Sequence, residues 1–144
     1  MSKSEPLIFF TDECLGRLVP TALKEAGMTV ELYLDWFRPG VIDVEWIPQV
    51  GQRGWLILTV DEMIGRRIPE QIAIAYAGAK AFVMASNKRN SQSIAAAFIQ
   101  AASAMEQLAH NSEAPFIAKV YANGDVKLWR DCDSLWDIIE KYSK

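Results

Sequence analysis

One histidine, two cysteines and no surplus of positive charge set the first limits on this chain of 144 residues. His110 has no serine or cysteine constellation around it, so no nucleophile–histidine triad is expected; at a helix end its imidazole complements the dipole. Cys14 and Cys132 show no CxxC spacing and are too few for a disulfide framework, so two buried thiols in a reducing cytosol are expected. Cys14 also follows two acids, which raises a thiol pKa and argues against a nucleophile. With 15 Lys and Arg against 18 Asp and Glu, the net charge of -3 gives no global attraction to nucleic acid or an anionic membrane. A polyanion would need a local basic patch or a bound cation.

Long hydrophobic runs are missing too. The longest apolar-rich segment, Ile94 to Met105, is interrupted by Gln100 and falls short of the ~20 residues a membrane span needs. Met1-Ser-Lys-Ser-Glu-Pro has no apolar core of the signal-peptide kind. No repeat, low-complexity tract or flexible linker is evident. The expectation is a cytoplasmic protein with no membrane contact, folded as one domain over residues 1–144.

What the chain does have is core material: 51% hydrophobic residues, with five Trp, six Phe and four Tyr. A domain of this size buries roughly 70% of its unfolded surface. Residues 7–11 read as a strand buried on both faces, followed by a helical pattern from Cys14 to Ala26 that stops at Gly27. Pro20 inside that pattern either kinks the helix or marks the start of its main body. Thr29 to Leu34 reads as a second strand, Pro39-Gly40 as a turn, and Asp43 as the N-cap of a short helix ending near Gly51 to Gly54. Trp55 to Val60 is the strongest β-run. Pro69 opens a helix that ends at Gly78, Ala81 to Ala85 reads as a fourth strand, and Asn90 to His110 as a long Ala-rich helix. Phe116 to Tyr121 and Val126 to Trp129 flank Asn123-Gly124, the signature of a type I′ hairpin, before a last helix from Ser134 to Tyr142. This alternation predicts an α/β fold, three layers with a mainly parallel central sheet, a C-terminal hairpin and a short helix.

Three aspartates stand at informative places. Asp12 closes the first strand-like run, Asp61 closes the third, and Asp43 opens the amphipathic stretch between them. Parallel strands deliver their C-terminal residues to one edge, where ligands bind. Carboxylates gathered there repel one another by roughly 4 kcal/mol per close pair and would need protons or a cation to offset it. A hard divalent ion such as Mg²⁺ or Mn²⁺ suits carboxylate and water ligands, and can activate water and neutralise charge on a phosphodiester. Thr11 and Thr59 are placed to hydrogen-bond the carboxylates or metal waters; Glu13, Glu45 and Glu62 are spare acids. The same three aspartates equally suit helix N-caps.

The quoted stretches resemble a known family. Phe10-Thr-Asp-Glu-Cys-Leu-Gly followed by Leu23-Lys-Glu-Ala-Gly looks like the opening of PIN-like domains. Asp43-Val-Glu-Trp-Ile and Gly51-Gln-Arg-Gly-Trp-Leu-Ile-Leu-Thr-Val-Asp61 resemble their second and third acidic motifs. Pro115-Phe-Ile-Ala-Lys-Val is similar to the ending of the branch related to VapC ribonuclease toxins, and the resemblance runs over residues 7–130. It implies a three-layer α/β/α fold and a Mg²⁺- or Mn²⁺-dependent ribonuclease site with Asp12, Asp43 and Asp61 as metal-binding catalytic acids and Glu45 as a helper. Many such domains carry a fourth acid after the fourth strand. Here that region reads Met84-Ala-Ser-Asn-Lys-Arg, without a carboxylate, leaving Ser86 or Asn87 to coordinate through water.

Arg66 and Arg67 after the third strand, and Lys88 and Arg89 after the fourth, would flank the same edge and hold phosphates; Thr59 joins the substrate-binding candidates. Trp36-Phe37 could stack on unpaired bases or form a core edge or partner patch, whereas Trp46 and Trp55 read as core. The expected function is a metal-dependent endoribonuclease acting on RNA, the toxin of a toxin–antitoxin pair with a small antitoxin protein as partner. The small-residue face of the Ala-rich helix serves internal packing or a homodimer. The alternative is a PIN-like binding or regulatory module without turnover. A response-regulator-like domain ranks last, for want of a strand-end lysine after the fourth strand.

Overall fold

Strand-like runs in which every residue is apolar can be stable only where both sides of a sheet are covered. The computed structural model, which describes residues 7–85 and 90–142, has this arrangement. Strands β1 (Phe9–Thr11), β2 (Val30–Leu32), β3 (Leu56–Thr59), β4 (Lys80–Met84), β5 (Phe116–Val120) and β6 (Val126–Arg130) form one sheet in the order β2-β1-β3-β4-β5-β6. All neighbouring pairs are parallel except β5 and β6. Successive side chains divide between the faces. Phe9, Leu58, Phe82 and Phe116 pack under α1 (Leu18–Glu25) and α5 (Ser91–Asn111). Phe10, Ile57, Val83 and Ile117 pack under α3 (Asp43–Gln52), α4 (Ile68–Ala77) and α6 (Cys132–Tyr142). The fold is thus the three-layer α/β/α architecture read from the sequence, with its mainly parallel sheet and C-terminal hairpin. Among the described residues no helix is long and apolar enough to cross a membrane.

Two features of the winding position the site. From β1 the chain moves outward to β2 and then back past β1 to β3, so the connections after β1 and β3 leave on opposite faces. Such a switch point opens a crevice at the carboxyl ends of the two strands. The second feature is α5. It carries the chain from β4 to β5 in the same direction along the sheet as α4 carries it from β3 to β4, yet on the other face. The two crossovers therefore have opposite hands, and the α5 crossover differs in hand from the other three.

Several local expectations change. The second strand stops at Leu32, because Tyr33 turns inward and starts the short helix α2 (Tyr33–Trp36). Its hydroxyl donates to Val41 O at 3.3 Å and accepts from Val41 N at 2.9 Å, tying α2 to the loop before α3. Pro20 lies in the first turn of α1, after a separate 3₁₀ turn at Glu13–Leu15, so it marks the start of the helix. Ile42, rather than Asp43, is the N-cap of α3. The hairpin loop is not type I′: Gly124 has φ 90, but no residue other than glycine has positive φ among the described residues. Neither cysteine is in the core. Cys14 is exposed, Cys132 is half-buried, and both are free.

Candidate active site

Asp12 is held by the sheet itself. Its backbone N–H donates to Leu58 O at 3.0 Å, so the ladder between β1 and β3 continues to this residue. Its side chain is buried, and the Thr59 hydroxyl donates to Oδ2 at 2.8 Å. The same hydroxyl accepts from the Asp61 N–H at 3.0 Å. One fully buried threonine thereby joins the ends of β1 and β3 and fixes two of the three aspartates. The Cys14 sulfur closes the group, 3.3 Å from Thr59 Oγ1 and 3.6 Å from Asp12 Oδ2. Asp12 is not capping the 3₁₀ turn that follows it.

Burial dominates the electrostatics. It pushes the Asp12 carboxyl up to about 6, with the Asp43 charge adding to it and the Thr59 hydrogen bond opposing. Cys14 is exposed as a residue, but its sulfur is turned in against Asp12 and Thr59; that enclosure and the Asp12 charge push the thiol up to about 12, which keeps it protonated and unreactive. Asp43 is also raised, first by burial and then by the Asp61 and Glu70 charges, against the Trp46 hydrogen bond and the Arg67 charge. Trp46 anchors it: its indole N–H donates to Asp43 Oδ1 at 3.1 Å from the core between β1 and α3. Burial raises the Tyr33 phenol, and the charges of Glu13, Asp12 and Asp43 act in the same direction. These carboxylates therefore share one region at the carboxyl edge of the sheet.

Asp61 plays a double part. Its Oδ1 accepts from Met63 N at 3.0 Å, capping the 3₁₀ turn Glu62–Gly65, as the capping alternative foresaw. Glu45 is exposed and stands about 200° around the helix from Asp43, so it does not join the others. Thr59 has no accessible surface, so it positions carboxylates and cannot touch a substrate. Thr11 is buried and makes none of these hydrogen bonds among the described residues. Arg66 pairs with Glu62 at 3.0 Å and Arg67 with Glu70 at 3.7 Å, both with exposed guanidinium groups beside the acids. Ser86, Asn87, Lys88 and Arg89 lie outside the described residues. Trp36 is not at this edge. It packs edge-on against Trp55 at the other end of β3, with Arg53 stacked over it, while Phe37 joins the core.

Glu70 was missed in the sequence. It is a buried acid in the first turn of α4, near enough to act on Asp43 and paired, among the described residues, only with the exposed Arg67. Its one signal was Pro69-Glu70 at a helix start, which reads as ordinary dipole compensation.

The donor set suits a hard cation in chemistry: oxygen ligands only, one of them a buried carboxyl under repulsion from its neighbour. Among the described residues no three acidic, histidine or cysteine side chains are gathered closely enough to cage an ion. Mg²⁺ characteristically takes one or two carboxylates and completes its shell with water and substrate oxygens. Asp12, Asp43 and Asp61 fit that mode and not an all-protein cage.

Residues 7–86, more than half of the chain, match the sequence model of the PIN like domain. No curated protein and no solved structure matches the chain. PIN-like domains are in general nucleases and typically depend on divalent metal. The match spans both strand-end aspartates, Asp43 and the switch point between them, and the chain belongs to the PIN-like domain family.

Proposed function

We propose that the protein is a Mg²⁺- or Mn²⁺-dependent endoribonuclease, with Asp12, Asp43 and Asp61 as its catalytic acids and RNA as its substrate. The observation that carries this reading is the buried Asp12 carboxyl, raised to about 6 and fixed by Thr59 beside a second charged aspartate. A structure that only capped helices would have no reason to bury that group.

A bound divalent ion would supply charge neutralisation at phosphorus and a water of lowered pKa. The chain's own residues do the rest. Thr59 and Cys14 both engage Oδ2 of Asp12, which leaves Oδ1 for the cation or a proton. The Met63 amide and the Trp46 indole fix the carboxylates of Asp61 and Asp43 before any ligand arrives, so no ordering is needed on binding. Arg66 and Arg67 reach flanking phosphates, exchanging weak surface ion pairs for charge-assisted contacts to the substrate. Glu70 holds Arg67 beside Asp43.

The test is cleavage of single-stranded RNA with Mg²⁺ or Mn²⁺ by wild type, Asp12→Asn and Asp61→Asn. Loss of cleavage in both variants is expected; undiminished cleavage in both would remove the mechanism. The resemblance of Pro115-Phe-Ile-Ala-Lys-Val to the ending of the VapC-related branch supports a toxin role, with a short antitoxin protein inserting a basic group among the acids. Co-expression with the product of the neighbouring reading frame should then abolish cleavage.

One observation favours a second reading, a binding module without turnover: the loose grouping of the acids among the described residues. Thermal unfolding with millimolar Mn²⁺ separates the two, because a ligand selective for the native state must stabilise it. No shift in Tm would favour the module.

A further inference from the structure

The hairpin formed by β5 and β6 lies beyond the residues that match the family model, and it carries a cluster that the acids do not explain. Lys119 and Lys127 are directly opposed across the two strands. Like charges so placed on one face destabilise a sheet. Lys119 Nζ sits 4.2 Å from the centre of the Trp129 ring, and Arg66 and Arg130 approach the same ring at 5.5 and 5.3 Å. Lys127 Nζ stands 5.9 Å from the ring of Tyr121, which is exposed. Among the described residues Lys119, Lys127 and Arg130 form no ion pair. The nearest acids along the chain are occupied, Asp125 with Asn123 in the turn and Asp131 with Ser134 at the start of α6.

The cluster is joined to the active site. Arg130 Nε donates to Gly65 O at 3.1 Å, and a Cβ at Gly65 would stand only 2.3 Å from the Trp129 ring. The turn that begins at Asp61 therefore rests on the hairpin. Arg66, its guanidinium 5.5 Å from the centre of that ring, is followed by Arg67, whose charge acts on Asp43. Arg67 and Arg66, paired with Glu70 and Glu62, and then Arg130, Lys119 and Lys127 thus lie between the acids, Trp129 and Tyr121.

We infer that these groups form a track for single-stranded RNA, with the phosphates on Arg66, Arg130, Lys119 and Lys127 and a base stacked on Tyr121. It rests on the ribonuclease reading for the identity of the polymer. In a chain of net charge -3, two opposed lysines that form no ion pair among the described residues are a local complement to a polyanion. The open aromatic ring favours unpaired bases over an acidic peptide, since every base offers a π-face.

The test uses the full chain in EDTA, so that binding is read without turnover. A fluorescein-labelled 15-nucleotide oligouridylate is titrated by anisotropy over a range of salt. The double variant Lys119→Gln/Lys127→Gln should bind about 10- to 30-fold more weakly, with the salt slope reduced by about 1.4. Tyr121→Leu should weaken binding about 5-fold or more at an unchanged slope. Both variants leave Trp129 and its contact with Gly65 intact. Affinity within twofold of wild type in the double variant, at the same slope, would overturn the track. So would failure of wild type to bind, or equal competition by a polyglutamate peptide of matched charge. Hairpin-dependent binding by a protein that cuts nothing in Mn²⁺ would uphold the track while removing the nuclease reading.

Discussion

From Phe9 to Met84 the chain builds the part that carries Asp12, Asp43, Asp61 and Glu70; from Phe116 to Arg130 it builds a hairpin whose notable groups are cations. The two parts place charge by different means. Asp12 and Asp61 are set by main-chain topology: adjacent parallel strands end together, and Thr59 ties the ends. Lys119, Arg130 and Arg66 are set by side chains gathered on one indole. A position fixed by backbone register tolerates little movement, whereas one fixed by long side chains can adjust to a ligand. Chemistry at phosphorus needs the first kind of placement and binding of a flexible polymer needs the second.

Breaking the acidic part should have the largest effect. Asp12→Asn is expected to lower Mn²⁺-dependent RNA cleavage by at least about 100-fold. It should also raise the metal-free Tm by on the order of 5 °C, because it removes a buried carboxylate but keeps an acceptor for Thr59. Calorimetry in EDTA and a single-turnover cleavage assay check the two halves of this statement. A variant less stable than wild type would show that Asp12 is not under electrostatic strain.

Next comes the tie itself. Thr59→Val keeps the shape and removes the hydroxyl, leaving Asp12 Oδ2 and the Asp61 amide without their common partner. A loss of about 1–3 kcal/mol in stability is expected from urea unfolding, with cleavage down about 10- to 100-fold. At the contact between the two parts, Gly65→Ala drives a methyl into the Trp129 ring. It should cost about 1–3 kcal/mol, and Gly65→Ser no less.

The pH dependence is the most gradual effect. Asp12 titrates at about 6 when folded against a usual 3.8, so the folded state binds the extra proton between those values. Its contribution favours folding fully below pH 3.8 and is lost as pH rises through 6. The difference amounts to about 3 kcal/mol at most, and metal-free wild type should lose that much relative to Asp12→Asn between pH 4 and 7. Metal affinity should move the other way, weakening as pH falls below about 6 and protons compete for the carboxylate.

Asp12 and Asp61 were legible in the sequence because apolar runs with a terminal acid announce buried parallel strands and their carboxyl edge. The tie through Thr59 was legible in kind, but its burial was not, since the hydroxyl's direction depends on the pairing of β1 with β3. Glu70 was hidden because an acid after proline at a helix start looks like dipole compensation. The face chosen by α5 could not be read at all. Its apolar stripe suits either side of the sheet, and keeping the hand of the earlier crossovers would place it on the wrong one. The cluster on Trp129 was invisible for another reason: Arg66, Lys119 and Arg130 are scattered in sequence, and only the packing of the hairpin, with its irregularity at Ile117/Ala118, brings them around one ring.

The two rims of the sheet have a consequence for how copies of the chain can meet. β2 is only three residues long before the backbone coils into α2, and β6 presents Lys127 outward beside an irregular stretch of ladder. Brevity, an outward lysine and a bulge are each devices that stop a foreign strand from adding to an open rim. Both rims thus disfavour the addition of a strand from a second copy, and with it the aggregation that an intermolecular β-sheet seeds.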